Sequence, residues 1–348
     1  MRDYKAHLVK NNIDLSHALR KLDELGADAV LFIVDNQDQL IGSLTDGDVR
    51  RGLLKGLNLN DPIIQFAQKS PKFIRKSKYS LTELIELRKN NFRIIPVLNN
   101  NNVVLTIINF RFLKSYLPID AMIMAGGLGS RLKPLTDSIP KPLLKVGERP
   151  ILDYGLNNLE RHGISSIYIS VRYLGDQIVD YIKSRKSLAK TNIIWEEEPL
   201  GTLGSATLVD SFDNDIILIT NSDILTNIDY EKFVLDFINS GADMSVVSIP
   251  YKVKIPYAVM ETVDNKVIKF QEKPSYTYYS NGGIYLVKKK LIDSLPYKSF
   301  YNTTDLMEQV INSGGTLRSY PLKEYWIDIG RPEDYKKANV DIQNINFI

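Results

Sequence analysis

A short apolar run, Ile119 to Met124, leads straight into MAGGLGSRLKPLTDSIPKPLLKV, Met124 to Val146, and this junction constrains the chain more than any other stretch. The run reads as a strand. Three glycines, Gly126, Gly127 and Gly129, then open a loop, with Arg131 and Lys141 behind it among fixed prolines. Glycines let backbone N–H groups converge on one point, where side chains would obstruct them. Convergent N–H dipoles beside an Arg and a Lys suit an anion with several oxygens, of which a polyphosphate is the obvious candidate.

Beyond that junction the pattern alternates. Ile151 to Arg161 reads as a helix, SIYISV as a strand, GDQIVDYIKS as a helix, TNIIWEE as a strand, SATLVDSF as a helix and DIILIT as a strand. Such alternation predicts a Rossmann-like α/β domain with a mostly parallel sheet, covered on both faces, and ligands at the carboxyl ends of its strands. With 348 residues there is chain enough for a second domain. The boundary is expected near Leu117–Pro118, dividing the chain into residues 1–117 and 118–348.

Residues 1–117 carry an internal repeat. Leu15, Ala18, Leu19, Leu22 and Leu25 form a helical stripe stopped by Gly26, AVLFIVD and LIGSL read as strands around the turn NQDQ, and TDGDVRRGLLKG begins a helix. The order returns with a helix over Ser80 to Lys89 and the strands RIIPVL and VVLTII around NNNN. One helix–strand–turn–strand–helix unit cannot bury its sheet alone. Two units, roughly residues 8–57 and 70–117, are therefore expected to pack together as an α+β module. This pair resembles a tandem CBS module. The resemblance implies an adenine nucleotide bound between the repeats, or dimerisation. The family's ribose-binding signature is matched by Gly42, Thr45 and Asp48, whereas the aligned positions of the second repeat are Leu105, Ile108 and Arg111. Thr45 and Asp48 also have the spacing of a helix cap, so a cap alone and a cap that holds a ligand both stand. The missing second signature favours dimerisation, and a homodimer or higher homo-oligomer is expected.

Charge and composition exclude other classes. Forty-four Lys and Arg against 41 Asp and Glu leave a net charge of +3, spread along the chain, which gives no support to a nucleic-acid or membrane partner. There is no cysteine, so no disulfide and no thiolate metal site, in keeping with a reducing cytosol. The N-terminus lacks a signal-peptide core and no apolar run reaches membrane-spanning length, so a cytoplasmic location is expected.

The glycine loop is neither of the common phosphate loops. GxxxxGK with Ser or Thr does not occur, and the dinucleotide pattern that starts at Gly127 and Gly129 meets Leu132 where a third glycine belongs. GGxGxRLxPLT followed by PKPLL resembles instead the sugar-1-phosphate nucleotidyltransferase superfamily. In that family the Arg and Lys contact the triphosphate, which carries over to Arg131 and Lys141. EEEPLGTLGSA, Glu196 to Ala206, resembles the family's base-binding loop, with Pro199, Gly201 and Thr202 closest to the guanylyltransferase version. Gly201 and Gly204 are expected to let that backbone approach the base closely. Asp223 in DIILITNSDIL and Asp328 in YWIDIGRPEDY match the family's two metal-binding positions, which implies Mg²⁺. FQEKP and SNGGIYLV carry the sugar-phosphate contacts over to Glu272, Lys273 and Asn281.

A bivalent magnesium site answers a physical need, because a triphosphate and a sugar phosphate are both anions and must meet. The resemblance implies attack of a sugar-1-phosphate oxygen on the α-phosphorus of an NTP, with pyrophosphate leaving. The combination with CBS repeats is similar to bacterial guanylyltransferases that make surface-sugar precursors, such as those feeding legionaminic acid synthesis. GTP therefore stands first, UTP, CTP or dTTP second, and a non-catalytic nucleotide sensor that keeps the fold third. Retention of both metal carboxylates with Arg131, Lys141 and Lys273 argues against the sensor. Which sugar is used is open at this stage.

Overall fold

The computed structural model describes residues 3–345. The chain divides into two compact units, Met1–Tyr116 and Leu117–Ile348.

In the first unit β1 (Leu8–Lys10), α1 (Leu15–Leu25), β2 (Leu31–Val34), β3 (Leu40–Leu44) and α2 (Asp46–Leu54) precede β4 (Ile74–Arg75), α3 (Leu81–Lys89), β5 (Ile94–Leu98) and β6 (Val104–Asn109). Asp14 and Ser80 cap α1 and α3, accepting from the N–H groups of His17 and Glu83. The sheets β1-β2-β3 and β4-β5-β6 share one order and sense, a parallel pair and then an antiparallel pair. The central strands β2 and β5 are buried along their whole length. Phe32 of β2 packs with Ile94 and Ile107, and Val34 with Leu98 and Val104, so each sheet covers the other. The helix expected to close the second repeat is absent. After β6 the chain turns, with the Asn109 carbonyl accepting from the N–H groups of Phe112 and Leu113 and its side chain from that of Arg111. An Asn side chain that bonds its own backbone two residues on competes with helix formation. Arg111 is anchored across the unit on Asp28 at 2.8 Å.

In the second unit β7 (Asp120–Met124), α4 (Ile151–Arg161), β8 (Ser166–Val171), α5 (Gly175–Ser184), β9 (Lys190–Trp195) and β10 (Ile216–Asn221) follow the expected alternation. They are joined by β11 (Ile224–Thr226), α6 (Tyr230–Ser240), β12 (Met244–Lys254), β13 (Val259–Val263), β14 (Lys266–Gln271), β15 (Ser275–Lys288), α7 (Thr303–Asn312), β16 (Leu317–Pro321), β17 (Trp326–Asp328) and α8 (Pro332–Asp341). One seven-stranded sheet runs β9-β8-β7-β10-β15-β12-β16, and within it β15 alone is reversed. The sheet is thus mostly parallel, as the alternation predicts. β12 and β15 continue past it as an exposed arm, next to the two-stranded hairpin β13–β14.

SATLVDSF is not the helix that its pattern suggests. Only a 3₁₀ turn, Gly204–Leu208, forms there. The N–H groups of Leu203 and Gly204 are taken by the Tyr301 carbonyl at 2.9 and 3.1 Å, a tertiary contact that overrides local helical pairing.

Two of this unit's apolar clusters bear on the site. Met122, Ile217, Ile219 and Tyr285 on one sheet face pack with Leu203, Phe212, Leu306 and Val310. Leu132, Leu144, Ile151, Leu225, Ile327 and Ile329 form the second, which ties the glycine loop to β11 and β17.

Candidate active site

Parallel strands end at one edge of a sheet, so their following loops converge there. The ends of β7, β8, β9 and β10 open on a cavity of about 530 Å³. Its wall holds Gly126, Gly127, Gly129 and Arg131 after β7, Arg172 after β8, Glu196 after β9 and Asp223 after β10. Lys141, Pro199, Gly201, Thr202 and Asp328 complete it.

Gly129 adopts a left-handed φ of 62°, and a Cβ there would lie 3.0 Å from the Thr136 methyl and 3.1 Å from Lys141 Cβ. The Thr136 hydroxyl donates to the Gly129 carbonyl at 2.9 Å. A glycine is what allows the Lys141 turn to pack against the loop. Behind both, Leu132 and Leu144 share the cluster with Ile327 and Ile329. Side chains alternate across a strand, so burial of Ile327 and Ile329 points Asp328 the other way, into the cavity.

Antiparallel pairing sets Ile224 of β11 opposite Asp328 of β17, and the Ile329 N–H donates to the Asp223 carbonyl at 3.0 Å. This register brings the two aspartates together. The Lys141 ammonium is hydrogen-bonded to Asp223 Oδ2 and lies 4.0 Å from Asp328 Oδ1. Burial and the neighbouring Asp223 charge push the Asp328 carboxyl above the ordinary carboxylate range, against the opposing pull of Lys141 and Arg131. One oxygen of each aspartate, Oδ1, is buried without a hydrogen-bond partner. Two facing carboxylates with unpartnered oxygens fit a divalent cation that takes its remaining oxygens from water and phosphate. Among the described residues no group of three His, Cys, Asp or Glu side chains forms an all-protein cage.

The loop after β9 is held by the chain itself. A Cβ at Gly201, whose φ is 77°, would lie 2.6 Å from the Tyr301 carbonyl oxygen, and one at Gly204 would lie 2.2 Å from that of Ser299. The close approach these glycines permit in this structure is to the 299–301 backbone, and Gly201 also lines the cavity. Thr202 fastens the same contact, its hydroxyl accepting from the Thr303 N–H at 2.9 Å.

Arg172 lies outside the motifs and Glu196 opens the EEEPLGTLGSA stretch without a role of its own in it, yet both are cavity residues. Each directly follows a parallel strand, the same positional signal that marks Asp223. Glu196 is buried, with Oε2 accepting from the Leu200 N–H at 3.4 Å and Oε1 beside Gly126. Glu272, Lys273 and Asn281 do not line this cavity. The first two are exposed in the turn between β14 and β15. Asn281 accepts from the Gly283 N–H at 2.9 Å, and Gly283 lies against Asn221 of the cavity wall. In the first unit, Thr45 and Asp48 form a capping box on α2, and Arg51 bonds the other Asp48 oxygen. Capping is thus observed there, and both carboxylate oxygens are engaged.

Residues 120–345 match the family model described as nucleotidyl transferase, and residues 2–55 that of the CBS domain. A D-glycero-alpha-D-manno-heptose 1-phosphate guanylyltransferase from Aneurinibacillus thermoaerophilus is 30% identical over 230 residues, 65% of this chain and 99% of that protein. A mannose-1-phosphate guanyltransferase from Schizosaccharomyces pombe is 28% identical over 225 residues, 62% of each chain. The match thus spans less than two thirds of the yeast relative. The crystal structure of HddC from Yersinia pseudotuberculosis is 31% identical, with a TM-score of 0.51 over 64% of this chain and 99% of that one. The same protein complexed with GMP-PN scores 0.50 at 28% identity over the same shares. The chain belongs to the nucleotidyl transferase family and carries a CBS domain at its N-terminus.

Proposed function

We propose that this chain transfers a guanylyl group from GTP to a sugar 1-phosphate and releases pyrophosphate. The observation that carries the reading is the convergence of Arg131, Lys141, Asp223 and Asp328 on one cavity at the ends of parallel strands. No side-chain nucleophile is required, because the sugar phosphate is itself an anion at neutral pH. Its oxygen attacks the α-phosphorus in line, and the bond to the leaving pyrophosphate breaks. The glycine loop, Arg131 and Lys141 hold the triphosphate and take up the charge that develops on the departing pyrophosphate. Asp223 and Asp328 would hold a Mg²⁺, which would supply positive charge to the phosphate oxygens. Lys273, Glu272 and Asn281 are the proposed contacts of the acceptor, which places part of its site on the β14–β15 turn.

Guanine is supported by Glu196. A buried carboxylate beside the 199–202 loop matches a base that presents two adjacent donors, N1–H and the N2 amino group. The guanylyl-transferring relatives and the GMP-PN complex of HddC support the same base. The acceptor class is hexose and heptose 1-phosphates, for surface-glycan precursors made in the cytoplasm. The β4–β6 half of the first unit is read as a second CBS motif, and the unit as a dimerisation module.

Pyrophosphate release measured across GTP, UTP, CTP and dTTP, each with mannose 1-phosphate and a heptose 1-phosphate, tests the reading. GTP is expected to lead with at least one acceptor. A lead by another NTP rejects the base, and no release from any pair rejects the enzyme in favour of a sensor.

A further inference from the structure

We propose that Arg172 reads the O6 and N7 edge of the nucleobase, opposite Glu196, so that the two side chains together select guanine. The inference rests on the guanylyl reading above and assigns a specificity residue to it. Arg172 and Glu196 stand one position beyond Val171 and Trp195, the last register pair of β8 and β9, so they are neighbours at the cavity edge of the sheet. They carry opposite charges, yet among the described residues no carboxylate lies within ion-pair distance of Arg172, and its Nε is buried without a hydrogen-bond partner. A buried donor without an acceptor is costly, so this N–H is suited to an acceptor that arrives with the ligand.

The acceptor is more suitably a base than a phosphate. Arg131 and Lys141 stand with the two aspartates proposed to hold a Mg²⁺, which would offset their charge toward phosphate. Arg172 stands with the single buried Glu196, where among the described residues no such pair exists to recruit a cation. Guanine alone among the common bases sets two donors, N1–H and the N2 amino group, next to two acceptors, O6 and N7. A carboxylate takes the first pair and a planar guanidinium takes the second. Adenine turns an amino group toward the guanidinium in place of O6. Uracil, thymine and cytosine have no N7.

The test compares kcat/KM of the full chain for GTP, 7-deaza-GTP and ITP, with Arg172→Ala and Arg172→Lys as variants. 7-Deaza-GTP lacks the N7 acceptor and ITP lacks the N2 amino group. In the wild type, 7-deaza-GTP is expected to fall about tenfold below GTP, the size of one lost hydrogen bond to a charged group. In Arg172→Ala, GTP itself falls by a similar factor and the 7-deaza penalty disappears, while the ITP penalty set by Glu196 remains. Equal use of GTP and 7-deaza-GTP by the wild type overturns the inference without needing any variant to fold. So does an Arg172→Ala enzyme that loses GTP and UTP alike and keeps the 7-deaza penalty, the signature of a phosphate contact. Preference of the wild type for UTP over GTP would reject the guanylyl reading itself. A GTP preference with no 7-deaza penalty would reject Arg172 alone.

Discussion

Asp328 shows how one side chain can serve a site at the expense of the fold. Its carboxyl is raised by burial and by Asp223, and its Oδ1 has no hydrogen-bond partner. A carboxyl raised in the folded state makes folding more favourable as pH falls toward that value and less so above it, where it must ionise beside another charge. Asp328→Asn at neutral pH therefore removes an unfavourable term. In metal-free buffer its melting temperature is expected to equal or exceed that of the wild type, while kcat falls at least about a hundredfold, as for other losses of transition-state charge stabilisation. A drop of several degrees in melting temperature would instead make Asp328 a structural residue. Asp223→Asn should lose turnover similarly while remaining folded. The family motifs pointed to both aspartates, but their adjacency depends on the β11–β17 register.

The loop at 199–204 illustrates a contact between elements that sequence motifs do not reveal. Gly204 faces the Ser299 carbonyl so closely that any Cβ must move the backbone. Gly204→Ala is expected to cost about 2 kcal/mol of stability, typical of overpacking, and to raise KM for GTP more than KM for the sugar phosphate. Unchanged unfolding and unchanged KM for GTP would show that the 299–301 segment yields freely. A second junction lies where β12 begins. Asp243 accepts from Lys290 at 2.9 Å, from the Thr316 N–H at 3.2 Å and from Lys288 at 3.1 Å, and these partners hold its carboxyl well below the usual range. For a depressed carboxyl, the stabilisation is present above its unfolded value near pH 4 and is lost as pH falls through the folded one. Asp243→Asn should lower neutral-pH stability by about 1 kcal/mol, as for ion pairs with solvent-exposed partners, and flatten the acid limb below pH 4. An unaltered acid limb in denaturation profiles would remove Asp243 from that role.

The two units differ in what their side chains leave available. The cavity of the second unit keeps aspartate oxygens and an arginine N–H unpartnered, whereas in the first unit Thr45, Asp48 and Arg51 satisfy one another. An adenine nucleotide that contacted Asp48 would share or displace the Arg51 bond at Oδ1 and leave the capping box at Oδ2 in place. If the first unit serves dimerisation alone, AMP, ADP and ATP leave the melting temperature of the full chain unchanged. A rise that is abolished in Asp48→Ala would assign a nucleotide to this cleft. Among the described residues no helix is long and apolar enough to cross a membrane.

Local pattern was sufficient for the strand–helix alternation up to β9, for the cap at Thr45 and Asp48, and for the glycine loop with its two cations. These features arise from neighbours a few residues apart, through side-chain periodicity, capping and backbone freedom. It did not reach the antiparallel half of the sheet, the missing helix after β6 or the 3₁₀ turn at 204–208. Those follow from distant partners, such as the Tyr301 carbonyl and the Arg111–Asp28 pair. The site divides in the same way. Asp223 and Asp328 carry motifs, but Arg172 and Glu196 gain their meaning from standing side by side at the edge of a parallel sheet. A residue's own chemistry is written in the chain, whereas its exposure, partners and unmet hydrogen bonds depend on which strands pair.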